Sequence, residues 1–175
     1  MAIDLQPFLA TDLPPSTVYA LFFLLGSFSV AGLSDLRRMS AQREFLEVWL
    51  LAAAVLFGLD AWRAYQGGEE AWLFLGAKWL LVLLVALVSW ERTGVVHRLA
   101  AGDVWAIVAV SALFTPLFVL VFFVLVWVAD RILRPLLHPF GQRGAYPFIP
   151  VVFVATVATI GLLLSGLAGR IRFGA

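Results

Sequence analysis

Five long segments almost free of charge dominate this chain and leave it few ways to fold. Thr17–Leu33, Val104–Ala129 and Tyr146–Gly169 carry no acidic or basic residue, Phe45–Leu59 carries only Glu47, and Ala71–Trp90 carries only Lys78. Runs of this length and apolarity read as membrane-spanning helices. Only 13% of the residues are charged and 63% are hydrophobic, where a soluble domain is nearer a quarter charged. The expectation is an all-α, polytopic integral membrane protein, with residues 1–175 forming a single membrane domain and almost no soluble mass. The bilayer is thus its first partner. The formal charge of +1 gives no nucleic-acid signal, because the basic residues are scattered over short loops. The absence of cysteine excludes disulfides, thiolate catalysis and Cys-ligated zinc. No cleaved signal peptide is expected, since Met1–Ser16 holds Asp4, Asp12 and Pro14-Pro15 but no Lys or Arg.

Val104–Ala129 decides the number of crossings. As one helix its 26 residues would measure about 39 Å at 1.5 Å per residue, longer than a hydrocarbon core of about 30 Å. Thr115-Pro116 lies near its middle, and proline removes a helical hydrogen bond and restricts the residue before it. Either this is one kinked helix, giving five spans, or two helices, giving six. Lys and Arg collect on the cytoplasmic side. With six spans and the N-terminus outside, the inner loops hold Arg37, Arg38, Arg43, Arg92, Arg98, Arg131, Arg134 and Arg143. Only Arg63, Arg170 and Arg172 then fall outside. Five spans would move Arg131, Arg134 and Arg143 outward and weaken the bias. Six spans are therefore expected, at about 17–35, 45–63, 71–90, 102–114, 116–134 and 147–168, in the cell membrane.

Asp35 and Asp103 lie at the ends of uncharged segments, with two crossings between them. Both therefore belong to one side of the bilayer, the cytoplasmic side by the arginine bias. Alone, Asp35 reads as a helix-end residue paired with Arg37, Arg38 or Arg43, and Asp103 as an N-terminal cap preceded by Gly102. Together they suggest chemistry, because carboxylates are costly at a hydrocarbon boundary. Two that approach each other cannot both ionise easily. The ionised one can take a proton from water while the protonated one polarises a peptide carbonyl.

The other polar residues point elsewhere. His97 and His138 lack ligand spacing, so no metal is expected, nor any cofactor. Asp130 reads as a helix-end ion pair with Arg131 and Arg134. Lys78 reads as a side chain snorkelling to the outer face. Gly26-Ser27 has no histidine in a span to serve as base. The tryptophans read as interfacial anchors.

Three short motifs in order carry a family resemblance: Ser34-Asp35-Leu36-Arg37-Arg38, Ala100-Ala101-Gly102-Asp103-Val104 and Tyr146-Pro147-Phe148-Ile149-Pro150-Val151. In that order and spacing the chain resembles the type IV prepilin peptidases, especially the short archaeal preflagellin (prearchaellin) peptidases, which are G-x-G-D intramembrane aspartyl proteases. The resemblance implies that Asp35 and Asp103 are the catalytic pair and that Gly102 lets the loop pack beside them. It implies an endopeptidase that removes the short basic leader of a precursor with a class III, pilin-like signal peptide on the cytoplasmic side. Ala100 stands for the first glycine of G-x-G-D, Trp105 stands where relatives often have lysine, and Gln42-Arg43 where many have a Pro-Asn pair. Nothing matches the cysteine-bearing domain of the bacterial enzymes, so methyltransferase activity is not expected. The alternatives are a non-enzymatic scaffold or assembly subunit of a pilus or secretion machine, and a small proton-relaying transporter. The latter is opposed by the lack of an inverted repeat.

Overall fold

Each apolar stretch becomes a helix in the computed structural model, which describes residues 15–38, 43–93, 99–141 and 146–165. In chain order the helices are α1 (Pro15–Arg38), α2 (Arg43–Gly67), α3 (Glu69–Ser89), α4 (Ala101–Ser111), α5 (Pro116–Leu137) and α6 (Ile149–Leu164). A 3-10 turn, His138–Phe140, extends α5. Among the described residues there is no β-strand, only an isolated bridge between Trp90 and Leu99. Asp4, Asp12, Gln42, His97, Arg98, Arg143, Arg170 and Arg172 lie outside the described residues, as do the side chains of Arg38 and Arg43.

The helix ends follow the local chemistry. Gly68 separates α2 from α3 with φ 80 and ψ −161, a conformation open essentially to glycine alone. The segment 104–129 is two helices rather than one kinked helix. α4 ends at Ser111, and α5 starts on Pro116 after an extended Thr115. At that first position the missing N–H of proline costs nothing.

Four helices, α1, α2, α3 and α5, are long and apolar enough to cross a membrane. The other two are apolar but shorter. α4 has 11 residues and α6 has 16, or about 17 and 24 Å. α4 also stops before the expected boundary at residue 114. The bundle shows many large apolar side chains outward, among them Phe22, Phe23, Leu51, Leu80, Leu83 and Val124. A surface like this fits a lipid surround rather than water.

α4 is the centre of the bundle. Val104 and every residue from Ala106 to Ser111 are buried, and α1, α2, α3, α5 and α6 all pack against it. α1 and α2 are joined by Trp49, whose ring meets Phe28 edge-on at 5.1 Å and whose Nε1 donates to Ser27 Oγ at 3.0 Å. α2 and α3 are joined by a buried ion pair between Asp60 Oδ2 and Lys78 Nζ at 2.5 Å. Trp79 Nε1 donates to the same carboxylate oxygen at 3.1 Å. Lys78 is thus turned into the α2–α3 contact and does not reach outward to solvent.

Candidate functional site

Three helix ends meet at one end of the bundle, and each contributes to one polar cluster. The last turn of α1 carries Asp35, which is 6% exposed. Its Oδ2 accepts a hydrogen bond from the backbone N–H of Ile149 at 3.3 Å. Phe148 is the N-cap residue of α6 and offers no side-chain cap. The first N–H groups of a helix need acceptors from outside it, and a carboxylate there also meets the positive end of the helix dipole. Asp35 therefore caps α6 from another helix. Arg37 forms no ion pair with it among the described residues.

Asp103 arrives by a different route. The chain leaving α3 and the chain entering α4 are pinned together by Leu99 N–H to Ser89 O at 2.9 Å and by Glu91 N–H to Leu99 O at 3.0 Å. α4 then begins at Ala101, with Ala100 as its N-cap residue and no side-chain cap bond. Asp103 is accordingly not the cap expected of it. It stands in the first turn of α4, partly accessible, where its charge and that of Asp35 act on each other. α1 and α4 are in contact, which sets the two carboxylates within reach of each other's charge.

Alanine at position 100 is unstrained in this setting. Ala100 has φ −63 and ψ 156, ordinary extended backbone that alanine adopts freely. Gly102 lies in the first helical turn rather than in a loop. Among the described glycines only Gly68 has positive φ, so Gly102 is not there for a left-handed turn. Trp105 lines an apolar groove of about 230 Å³ between α3 and α4, with Leu83, Leu87, Trp90, Ala101 and Val108 among its walls.

A second polar cluster adjoins the first. Asp130 on α5 is 1% exposed. Its Oδ2 accepts from Arg134 Nη2 at 2.7 Å, the i,i+4 pair expected from the sequence, and its Oδ1 accepts from the Tyr146 hydroxyl. The Arg134 guanidinium also lies 5.3 Å from the centre of the Tyr146 ring. Burial, reinforced by the Asp130 charge, pushes the Tyr146 phenol up to about 12, so it remains a donor throughout the neutral range. The sequence offers the Asp130–Arg134 pair and the Tyr146–Val151 motif separately; the meeting of Tyr146 with Asp130, and of the α6 head with Asp35, is visible only in the fold.

The arrangement brings two carboxylates from separate helices within electrostatic reach, one partly accessible and one held by a backbone donor. Such a pair can take up and give back a proton. Among the described residues no three His, Cys, Asp or Glu side chains gather as metal ligands would. Compared with protein-family models, curated proteins and solved structures, the chain matches none.

Proposed function

We propose that this chain is an intramembrane aspartyl endopeptidase with Asp35 and Asp103 as its catalytic pair. It removes the short basic leader of a prepilin-like or prearchaellin-like precursor. What supports the reading is that α1, whose last turn holds Asp35, packs against α4, whose first turn holds Asp103, near enough for each carboxylate to feel the other's charge. The proposal includes six crossings, the N-terminus outside and the carboxylates facing the cytoplasm. α4 and α6 then complete their crossings with help from the helices around them.

The chemistry follows from the pair. One carboxylate removes a proton from a water molecule as its oxygen attacks the peptide carbonyl carbon. The other, protonated, donates its hydrogen to the carbonyl oxygen. The tetrahedral gem-diol collapses when the C–N bond breaks: the amine nitrogen takes the proton held by the first carboxyl group, and one diol hydroxyl returns its proton to the second carboxylate as the new carbonyl forms. The pair ends with one proton between its members, as it began, and that proton belongs to both.

The test is cleavage of a leader-bearing precursor in membranes by the wild-type chain and by Asp35→Asn and Asp103→Asn. Each substitution is expected to lower the rate by at least about 100-fold, the lower range for loss of general acid–base catalysis. Full cleavage by both single variants rejects the dyad.

One observation favours the scaffold alternative: Asp35 already has a structural task, capping α6. On that reading the wild-type chain cleaves no leader peptide and co-purifies with components of a pilus or secretion machine.

A further inference from the structure

We infer that Tyr146, held by Asp130 and Arg134, is a positioning residue for Asp35: the cluster on α5 fixes the head of α6, and the head of α6 fixes the carboxylate. The catalytic consequence rests on the protease reading above; the mechanical part does not.

The contacts run without a gap from one carboxylate to the other. Asp130 is buried and has both oxygens engaged, one by Arg134 and one by the Tyr146 hydroxyl. The Tyr146 ring lies 6.3 Å from that of Phe148. Phe148 and Ile149 are buried, and Ile149 donates its N–H to Asp35. Only Pro147 and Phe148 stand between Tyr146 and Ile149, and proline fixes its own φ. A displacement of the phenol is therefore carried to the Ile149 N–H with little slack. The bond it would disturb is 3.3 Å long, already at the far end of the useful range. α6 has no cap of its own to hold that head in place.

The same geometry explains why a buried acid on α5 is tolerated. The Asp130 charge is taken up by Arg134 and the phenol, and its task is to hold Tyr146. Asp130 and Tyr146 touch no reacting atom, so neither is a catalytic residue.

Two measurements on the full chain test the inference. The first is steady-state cleavage of a leader-bearing precursor in proteoliposomes. Tyr146→Phe removes only the hydroxyl and is expected to lower kcat by about 10- to 100-fold, the scale of a small misplacement of a reacting group, with KM unchanged. Asp130→Asn keeps an acceptor oxygen for the phenol and is expected to lose less than Asp130→Ala. The second measurement needs no activity. The chain has no cysteine, and a Cβ at Gly32 would lie 3.8 Å from Ile149 Cγ2. Oxidative cross-linking of the double variant Gly32→Cys, Ile149→Cys therefore reads the α1–α6 contact directly. It is expected to slow several-fold when Tyr146→Phe is added. Unchanged cross-linking overturns the clamp. Slowed cross-linking with unchanged kcat, or a rise in KM alone, overturns the positioning role. A wild-type chain that cleaves nothing overturns the protease reading, while the cross-linking arm still decides the clamp.

Discussion

The buried pair between α2 and α3 allows a double-substitution cycle with an asymmetric outcome. The side chains of Lys78 and Asp60 are 8% and 13% exposed, so neither charge is well solvated when its partner is removed. Asp60→Leu strands the Lys78 ammonium and also deprives Trp79 Nε1 of its acceptor. Removing one member of a buried pair costs about 3–5 kcal/mol, and this variant belongs at the upper end. Lys78→Met leaves Asp60 with the Trp79 donor at 3.1 Å and Arg63 at 3.7 Å. It therefore falls near the lower end, about 3 kcal/mol. Arg63 adds little to this, since its side chain is 67% exposed. The double variant strands no charge and leaves only the Trp79 N–H unpaired, a cost of about 1–3 kcal/mol. The cycle should then show a coupling of at least about 3 kcal/mol. Reversible unfolding in mixed micelles, followed by circular dichroism as denaturing detergent is added, measures all four proteins on one scale. Additive single effects, or a Lys78→Met variant less stable than Asp60→Leu, would refute the argument.

Two further outcomes follow from local geometry. At Gly68 nothing lies within 4 Å of an added Cβ, yet φ is +80. Gly68→Ala should cost about 1–3 kcal/mol through the backbone alone, whereas Gly76→Ala, equally uncrowded inside α3, should stabilise by about 0.5–1 kcal/mol, so unfolding of the two variants should shift in opposite directions. The tyrosinate absorbance of wild type minus that of Tyr146→Phe should titrate near 12 rather than at the ordinary value of about 10. Because the folded-state value is raised, the stability tied to this phenol is full below about pH 10 and is lost as pH rises through about 12.

Much of the architecture was legible because charge marks where apolar segments end. The six expected spans overlap the six helices, and Thr115-Pro116 announced the break between α4 and α5. The end of α4 was not legible: Ala112-Leu113-Phe114 is as apolar as the helix before it, so nothing in the string says that the helix stops at Ser111. That Asp35 and Asp103 share an end could be read from the two crossings between them. Their separate assignments could not. Asp103 reads as a cap, but Ala100 takes the N-cap position, and Asp35 takes up a helix head 114 residues away, with no ion pair to Arg37 among the described residues. Lys78 was read as an outward snorkel because its partner Asp60 sits eighteen residues earlier on another helix. Their meeting depends on the α2–α3 register set at Gly68. Asp130 had an adequate partner at i+4, which hid the phenol that reaches it from beyond α5.

The brevity of α4 has a consequence for how the protein is made. Eleven residues are too few to settle in a bilayer alone, so this segment must wait for neighbours before it takes its place. One of those neighbours, α6, is made after it, and its head is what holds Asp35. The nascent chain therefore carries both acids before the head of α6 exists, and Asp35 gains its backbone donor only when that later helix docks.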